Sequence, residues 1–481
     1  MKRKRIMIAA PKSGSGKTLI TCALLLALQK NGWRPVSYKC GPDYIDPMFH
    51  EKVIGIPSKN LDTFFTGEEQ TRKLFVESVM GSKSGRKESS VEESVFGKSG
   101  AERETFAVIE GVMGLYDGLG GIREEGSSYH LAKVTKTPIV LVVDAKGMGR
   151  SVVSLLAGFL AYDKEQLIRG VILNRISKGY YERIKPLIEE ELNLCVAGFL
   201  PEKEEFHIGS RHLGLVLPDE MKNIKERLSL ISEKFVETVC LESILEIADG
   251  AAELTDDGEL KSGIKKNRPV IAVAKDEAFC FYYADNLRLL EENGAEIRYF
   301  SPLWDEGLPD GCYALLFGGG YPELYAEKLS GNHKMRAAVR RAAKNGMPIV
   351  AECGGFLYLH SVLTDKEGNS YEMAGVLPAA CFYTGKSVRF GYVEIRDEQG
   401  CFLPKGETIK GHEFHYYDST NNGINATAVK PVTGKEYPCV IADENCWMGF
   451  PHLYYPSNPA FAKAFVGKAE GYKRRRVAMD I

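Results

Sequence analysis

The 481-residue sequence lacks the cysteine patterns that bind zinc or build a disulfide framework. Its eleven cysteines are scattered, with no C-x-x-C pair and no cysteine/histidine ligand spacing. Unpaired thiols of this kind are typical of a reducing compartment, so we expect a cytoplasmic protein.

The sequence also lacks a long apolar run and an excess of charge. No hydrophobic stretch approaches the roughly 20 residues that a membrane-spanning helix needs. The formal charge of −2 argues against a general nucleic-acid binder. Hydrophobic residues make up 44% and charged residues 26% of the chain, as in ordinary soluble proteins. We therefore predict that neither a membrane nor a nucleic acid is a partner.

Residues 6–18, IMIAAPKSGSGKT, form an apolar run that breaks into small residues and ends in Gly-Lys-Thr. A strand, a loop of exposed backbone N–H groups and a helix in this order bind a polyphosphate. Pro11 stands where the usual P-loop has glycine, and the early Lys12 is typical of deviant P-loops. The predicted ATP-binding residues of this loop are Lys12, Ser13, Gly14, Ser15, Gly16, Lys17 and Thr18.

Acidic residues follow two of the predicted strands in the first half. The strand at 35–40 runs into GPDYIDP, which presents Asp43 and Tyr44 between prolines, and the strand at 105–110 ends on Glu110. A carboxylate at such a strand end could hold Mg²⁺ together with the hydroxyl of Thr18, in the manner of a Walker-B acid. The alternative is that these acids only cap helices. We predict Thr18, Asp43 and Glu110 as metal ligands.

Two further side chains are candidates for binding in the same half. Asp117 lies in the glycine-rich loop after Glu110, within reach of the same site or of a substrate. Asn174 ends the strand at 170–175, where an amide could read the adenine edge of ATP. An asparagine that satisfies a loop backbone is the alternative.

The order of predicted elements indicates the fold class and the domains. Strands alternate with helices in both halves, which is typical of parallel sheets covered on both faces. We predict two doubly wound α/β domains, at 1–250 and 269–481, joined by a polar linker at 251–268. The polar stretch at 81–104 is predicted to be a mobile insertion.

In the second half, residues 348–358, PIVAECGGFLY, place a cysteine between a strand and a helix. Strand, Cys353, two glycines and helix are the pattern of a nucleophile elbow with sulfur in place of oxygen. Backbone N–H groups of Gly354 and of Gly319, in the earlier GGG turn, could stabilise an oxyanion. The N-terminus of the helix is expected to lower the pKa of the thiol.

A thiol nucleophile needs a base, and histidine is the usual one. His412 and His415 lie in GHEFHYYD, and His452 lies just beyond a later predicted strand. The residues alone leave this choice open.

Taken together, the two halves resemble a known fusion of domains. The first half resembles the dethiobiotin synthetase branch of P-loop proteins, and the second resembles class I glutamine amidotransferases. The joint occurrence of GPDYIDP, EGVMGLYDG, AECGGFLYL, GHEFHYYD and FPHLYYPSNP resembles the cobyrinic acid a,c-diamide synthase family. The resemblance covers nearly the whole chain apart from 81–104 and the C-terminal tail.

The resemblance implies an enzyme that amidates the a and c acetate carboxylates of a corrinoid, with ATP, glutamine and Mg²⁺. It implies that Cys353 forms a glutamyl thioester and that His452 activates it, while His412 and His415 shape the site or the domain interface. Tyr454 stands where ordinary class I amidotransferases have a glutamate, so the third residue of the catalytic triad is unassigned. The acids of the first half then serve the metal and the corrinoid carboxylates, as does Tyr44.

The implied chemistry needs two connected sites. ATP would convert a carboxylate into an acyl phosphate, and ammonia released at Cys353 would displace the phosphate. We expect a path for ammonia between the domains, and the chain is compatible with a homodimer. Alternatives are the same reaction on hydrogenobyrinate or nickel-sirohydrochlorin, a partition-type P-loop ATPase switch, and an amidotransferase half that serves as a scaffold.

Overall fold

The computed structural model describes residues 3–80, 103–203, 218–254 and 268–479. The chain divides into two compact units, residues 1–259 and 260–481. The predicted insertion at 81–104 lies outside the described residues except for its last two positions, and the predicted linker is described only at its ends.

A parallel sheet forms the centre of the first unit. Its strands in the described part follow the order β3-β2-β4-β1-β5-β6-β7, and every neighbouring pair is parallel. Both faces are covered, so the strands are continuous apolar runs with almost fully buried residues. The strands are β1 (Lys4–Ala9), β2 (Arg34–Cys40), β3 (Ser58–Leu61), β4 (Thr105–Glu110), β5 (Ile139–Asp144), β6 (Ile168–Asn174) and β7 (Cys195–Leu200).

Helices connect these strands, and the chain changes direction in the sheet beside β1. Ligands bind at such a switch point, outside the carboxyl ends of the strands. The helices are α1 (Lys17–Lys30), α2 (Ile45–Phe49), α3 (Thr63–Met80), α4 (Ser128–Val134), α5 (Ser151–Tyr162), α6 (Lys178–Leu192), α7 (Pro218–Thr238) and α8 (Leu241–Asp249).

The last two helices of this unit, α7 and α8, are separated by only two residues. Val239 forms an isolated antiparallel bridge with Gly198, and the N–H of Cys240 donates to the carbonyl of Ala197 at 2.8 Å. The N–H of Val239 still donates to the carbonyl of Phe235, but the next N–H, that of Cys240, bonds to the edge strand β7, and this separates α7 from α8.

The second unit has its own largely parallel sheet, in the order β20-β21-β11-β10-β8-β9, with only β20 antiparallel to its neighbour. Its strands are β8 (Val270–Ala274), β9 (Glu296–Phe300), β10 (Cys312–Phe317), β11 (Ile349–Glu352), β20 (Ile441–Ala442) and β21 (Cys446–Gly449). Its helices are α9 (Ala284–Glu292), α10 (Ala326–Gly331), α11 (His333–Lys344), α12 (Gly354–Leu359) and α13 (Ala460–Met479). The prediction of two doubly wound α/β domains is confirmed.

Two smaller sheets in the second unit are not part of that prediction. One is mixed, in the order β13-β12-β14-β17, and the other is antiparallel, in the order β19-β18-β15-β16-β22. Their strands are β12 (His360–Thr364), β13 (Ser370–Glu372), β14 (Leu377–Tyr383), β15 (Arg389–Asp397), β16 (Thr408–His415), β17 (Tyr417–Ser419), β18 (Ala426–Val429), β19 (Glu436–Cys439) and β22 (His452–Leu453).

Within the described ranges, none of the helices combines the length and the apolar character that crossing a membrane requires.

Candidate active sites

The loop between β1 and α1 has the backbone of a phosphate-binding loop. Gly14 and Gly16 take positive φ angles of 77° and 98°, and α1 begins directly at Lys17. The Ser15 hydroxyl donates to the carbonyl of Lys12 at 3.0 Å and closes the loop, while the Lys12 side chain is exposed. The N-terminus of α1 therefore faces the space that the loop encloses.

Lys17 is buried and fixed by the loop that follows β4. Its ammonium donates to the carbonyl of Met113 at 2.6 Å. Burial lowers the pKa of Lys17 to about 8, and the charge of nearby Lys39 contributes to the decrease. A phosphate that approached the loop would meet this lysine at its base and would favour its charged form.

Thr18 and Glu110 meet at the adjacent ends of α1 and β4. The Thr18 hydroxyl donates to Oε1 of Glu110 at 2.6 Å, and Glu110 is fully buried. Burial by itself would raise the pKa of Glu110, but the Lys39 ammonium, together with the contacts from His50 and Thr18, holds the pKa well below its usual range. The carboxylate is therefore charged at neutral pH.

Lys39 and His50, which the sequence analysis missed, surround this carboxylate. Lys39 is the register partner of Glu110 in the β2–β4 pair, and its Nζ lies 3.1 Å from Oε1. Lys39 also binds the carboxylate of Asp46, and its Nζ lies 3.9 Å from Oδ2 of Asp43. Nε2 of His50 lies 3.3 Å from the second oxygen of Glu110. One buried lysine thus lies within ion-pair distance of three acids.

The remaining acid candidates are held by their own loops. Oδ1 of Asp43 accepts from the N–H of Ile45 at 2.7 Å, and Oδ2 of Asp117 accepts from the N–H of Gly114 at 3.0 Å. Tyr44 is buried beside Asp43. Asp43 is connected to Glu110 through Lys39, whereas the charge of Asp117 acts on Lys17. Asp117 also borders a groove of about 570 Å³ that Tyr116, Phe159 and Tyr162 line.

Asn174 makes the backbone contacts that were the alternative to base recognition. Its Nδ2 donates to the carbonyl of Ser15 at 2.9 Å, and its Oδ1 accepts from the N–H of Arg175 at 3.0 Å. A Cβ at Gly16 would overlap Nδ2 of Asn174. The amide therefore supports the phosphate-binding loop in this structure, and a contact with adenine stays a prediction.

A complete metal cage is not formed by protein side chains alone. In the described ranges, no group of three or more His, Cys, Asp or Glu residues is arranged to hold a metal ion. Mg²⁺ commonly takes only one or two protein ligands and fills its shell with phosphate oxygens and water. The hydroxyl of Thr18 and the carboxylate of Glu110, 2.6 Å apart beside the phosphate-binding loop, fit that requirement.

In the second unit, Cys353 lies at a sharp turn between β11 and α12. Its φ and ψ angles are 46° and −103°, which few non-glycine residues adopt. The N–H of Cys353 donates to the carbonyl of Gly449 at 2.8 Å, and the residue is 8% exposed. This is the strained strand–turn–helix geometry of a nucleophile elbow.

The ends of three neighbouring parallel strands bring Gly319, Cys353 and His452 together. Gly319 follows β10, Cys353 follows β11, and His452 follows β21 in the order β21-β11-β10. A Cβ at Gly319 would overlap Cε1 of His452 and lie 3.0 Å from its Nδ1. A Cβ at Gly354 would lie 3.0 Å from the backbone nitrogen of Gly320. Glycine at 319 and 354 therefore allows these close approaches, which a side chain at either position would prevent.

The expected lowering of the thiol pKa is wrong for this structure. Burial, followed by the negative charge of Glu323, raises the pKa of Cys353 well above its usual range, and the N–H of Gly354 counters this only partly. Burial also lowers the pKa of His452 to about 3. Both groups are therefore neutral at pH 7, so the imidazole is available to accept the thiol proton during attack.

His412, His415 and Tyr454 each make a different contact in the same unit. His412 is the register partner of His452 in the β16–β22 pair, and burial lowers its pKa to about 3. The ring of His415 stacks on Phe450 at 3.9 Å. The hydroxyl of Tyr454 donates to Oδ2 of Asp285 at 3.0 Å. The side chain of Tyr454 thus forms a hydrogen bond with a buried aspartate on α9.

Comparisons with known proteins agree across both units. Residues 6–216 match the family model described as the CobQ/CobB/MinD/ParA nucleotide binding domain. Residues 270–459 match the model described as the CobB/CobQ-like glutamine amidotransferase domain. A cobyrinate a,c-diamide synthase from Caldanaerobacter subterraneus subsp. tengcongensis is 38% identical over 474 residues, covering 98% of this chain and 99% of that relative. One from Listeria innocua is 36% identical, covering 96% and 99%.

Proposed function

The chain belongs to the cobyrinate a,c-diamide synthase family, whose members are ATP-dependent ligases that take nitrogen from glutamine, and we propose that it amidates the a and c acetate carboxylates of cobyrinic acid. The observation that carries the proposal is the presence of two different sites in one chain. The first is a phosphate-binding loop beside a buried carboxylate, and the second is a cysteine elbow beside a histidine.

The first site activates the carboxylate of the corrinoid. Lys17 and the N–H groups of the phosphate-binding loop bind the triphosphate and offset the charge that develops as the γ-phosphoryl group moves to the carboxylate. Thr18 and Glu110 would hold Mg²⁺, which would supply further neutralisation of the phosphates, and Asp43 is connected to Glu110 through Lys39. The product is an acyl phosphate, an electrophile that ammonia can attack.

The second site supplies the ammonia. The sulfur of Cys353 attacks the amide carbon of glutamine while His452 accepts the thiol proton, and N–H groups at Gly319 and Gly354 stabilise the oxyanion. His452 then donates the proton to the departing amine, which leaves as ammonia. Water hydrolyses the thioester and releases glutamate. Ammonia attacks the acyl phosphate at the first site, so that the amide forms and phosphate leaves.

The division of labour is tested by replacing the nucleophile. We expect Cys353→Ala to abolish amidation of cobyrinate with glutamine and to retain amidation with added ammonium, because the first site is intact. The control is Cys240→Ala, which removes an exposed thiol in the first unit. A Cys353→Ala variant that ammonium fails to rescue would show that the cysteine is needed for more than ammonia release.

The identity of the tetrapyrrole is tested separately. Cobyrinate, hydrogenobyrinate and nickel-sirohydrochlorin carry carboxylates on different macrocycles, and the same two sites could serve each. We expect the ATP-dependent release of phosphate with saturating ammonium to have the highest kcat/KM with cobyrinate. A higher kcat/KM with another macrocycle would mean that this macrocycle is the substrate, and the proposed class of reaction would stay the same.

A further inference from the structure

A short 3₁₀ helix, Pro322–Tyr325, follows directly after the glycine turn at 318–320. It contacts α12, the helix that begins behind the nucleophile. A Cβ at Gly354 would lie 2.9 Å from Cδ of Pro322, so this helix packs against the residue next to Cys353. Glu323 is therefore carried by the same loop as Gly319, on the nucleophile's side of the sheet.

Three carboxylates influence the charge of the Cys353 thiol, namely Glu323, Glu352 and Glu413, and Glu323 has the largest effect of the three. Glu352 accepts from the hydroxyl of Tyr455 at 3.5 Å. Glu413 faces two cations, with Arg389 at 3.6 Å and Lys430 at 3.4 Å, and also binds the hydroxyl of Tyr437. Glu413 is thus paired with cations, and Glu352 accepts hydrogen bonds from a hydroxyl group and from the N–H of Leu453.

Glu323 differs from Glu413 in having no cation beside it, and from Glu352 in having no side-chain hydrogen-bond donor among the described residues. Among the residues that the structure describes, no lysine, arginine or histidine lies within ion-pair distance of it. Its titratable neighbours are themselves neutral or acidic groups, namely Cys353, Cys381 and Tyr417. Burial raises the pKa of Glu323 to about 7. A desolvated carboxylate without a counter-charge favours a cationic ligand.

We propose that Glu323 binds the α-ammonium group of glutamine and so selects the amino acid over other amides. This rests on the proposed glutaminase role of Cys353. Glutamine carries one cation, three carbons from the amide carbon that the sulfur attacks. The unpaired carboxylate beside the nucleophile matches that cation, and the bond between them is a charge-assisted hydrogen bond.

Binding at Glu323 also couples the substrate to the reactivity of the nucleophile. The negative charge of Glu323 opposes ionisation of Cys353 in the free enzyme. The ammonium group of glutamine neutralises that charge when it binds, so the thiol loses its proton more easily with substrate present. The site then holds a protonated, less reactive sulfur until glutamine is bound.

The test compares glutamine with glutaramate, the same amide without the α-amino group. Ammonia release is measured for the wild type and for Glu323→Gln in the presence of ATP and cobyrinate. We expect the wild type to prefer glutamine in kcat/KM by about 10- to 100-fold, the range of a charge-assisted hydrogen bond. We expect Glu323→Gln to lose this preference, because kcat/KM falls for glutamine alone.

The matched control is Glu327→Gln, one helical turn further along on an exposed position of α10, which should keep the wild-type preference. If Glu323→Gln keeps the preference, or lowers kcat/KM for both amides by the same factor, the inference is wrong. If the wild type releases ammonia from neither amide, the proposed function itself fails, which distinguishes the two outcomes.

Discussion

At the scale of single residues, the protonation state of Cys353 decides how glutamine hydrolysis begins. Burial and the charge of Glu323 raise the pKa of the thiol, and burial lowers the pKa of His452 to about 3. The pair is therefore neutral before glutamine binds. An elbow at a helix N-terminus is not sufficient to create a thiolate where no cation accompanies it.

This state predicts how the thiol reacts with iodoacetamide in the absence of glutamine. A raised pKa keeps the thiol protonated through neutral pH, so we expect the alkylation rate of Cys353 to be still rising at about pH 9, above the ordinary thiol pKa of about 8.5. Mass spectrometry of the modified peptide measures the rate, with Cys353→Ala as the blank. A plateau near neutral pH would mean that a thiolate is already formed.

Residues in continuous motifs could be predicted from the sequence, whereas their partners could not. Glu110 ends a strand and Cys353 directly follows one, and the sequence displays both strands locally. Lys39 lies 71 positions from Glu110 along the chain, and it reaches the carboxylate only because β2 and β4 are neighbours in register. Glu323 likewise depends on the packing of its short helix against α12. Such contacts follow from tertiary structure and carry no local signal.

At the scale of elements, the phosphate-binding loop depends on the strand that ends at Asn174. The loop turns through a positive φ at Gly16, and the amide of Asn174 occupies the space that a side chain at Gly16 would need. The loop backbone and the end of β6 therefore fit together only with glycine at this position.

The fit predicts different effects for two glycines in the same unit. Gly16→Ala adds a Cβ that overlaps Asn174, and we expect it to weaken ATP binding by about 10- to 100-fold, equivalent to roughly 1.4–2.8 kcal/mol. Gly32 has a similar φ of 83°, but a Cβ there meets nothing within 4 Å. Gly32→Ala should lower stability by about 1–2 kcal/mol and leave ATP affinity unchanged.

Titration with a fluorescent ATP analogue measures both affinities, and thermal unfolding measures both stabilities. Equal ATP affinity in the two variants would show that Asn174 moves aside without cost, so that the contact does not position the loop.

The strands and helices of the two parallel sheets could largely be predicted, because each is a continuous apolar run followed by a periodic helix. The antiparallel sheet that carries His412 and His452 could not. Its strands are partly exposed, and the pairing that brings His452 beside His412 joins a two-residue strand to a strand from an earlier part of the chain. Its existence follows from long-range register and not from local pattern.

At the scale of the whole molecule, the proposed reaction divides between the two units. Phosphoryl transfer belongs to residues 1–259 and glutamine hydrolysis to residues 260–481. The sequence could predict the two activities because each motif lies within one unit. The path that ammonia follows between the two sites depends on how the two units are arranged. No sequence motif encodes that path.

The division predicts the outcome of replacing the lysine of the phosphate-binding loop. We expect Lys17→Met to lower amide formation on the order of 10²-fold or more with either glutamine or ammonium, because the transferring phosphoryl group loses a buried cation. Glutamine hydrolysis should persist, since its residues lie in the other unit. Lys52→Met, at an exposed position of the same unit, is the control.

Separate assays of amide, glutamate and ammonia follow the two activities. Loss of glutamate production in Lys17→Met would contradict independent sites and would indicate that hydrolysis requires phosphoryl transfer.

The nucleophile and its base belong to different sheets. Cys353 follows a strand of the parallel sheet, whereas His452 is hydrogen-bonded into the antiparallel sheet beside His412. Only Phe450 and Pro451 separate the end of the one sheet from the beginning of the other. The sulfur–imidazole separation is therefore governed by the contact between two layers. A shift of one layer against the other would therefore change the distance between sulfur and imidazole with every reactive side chain unchanged.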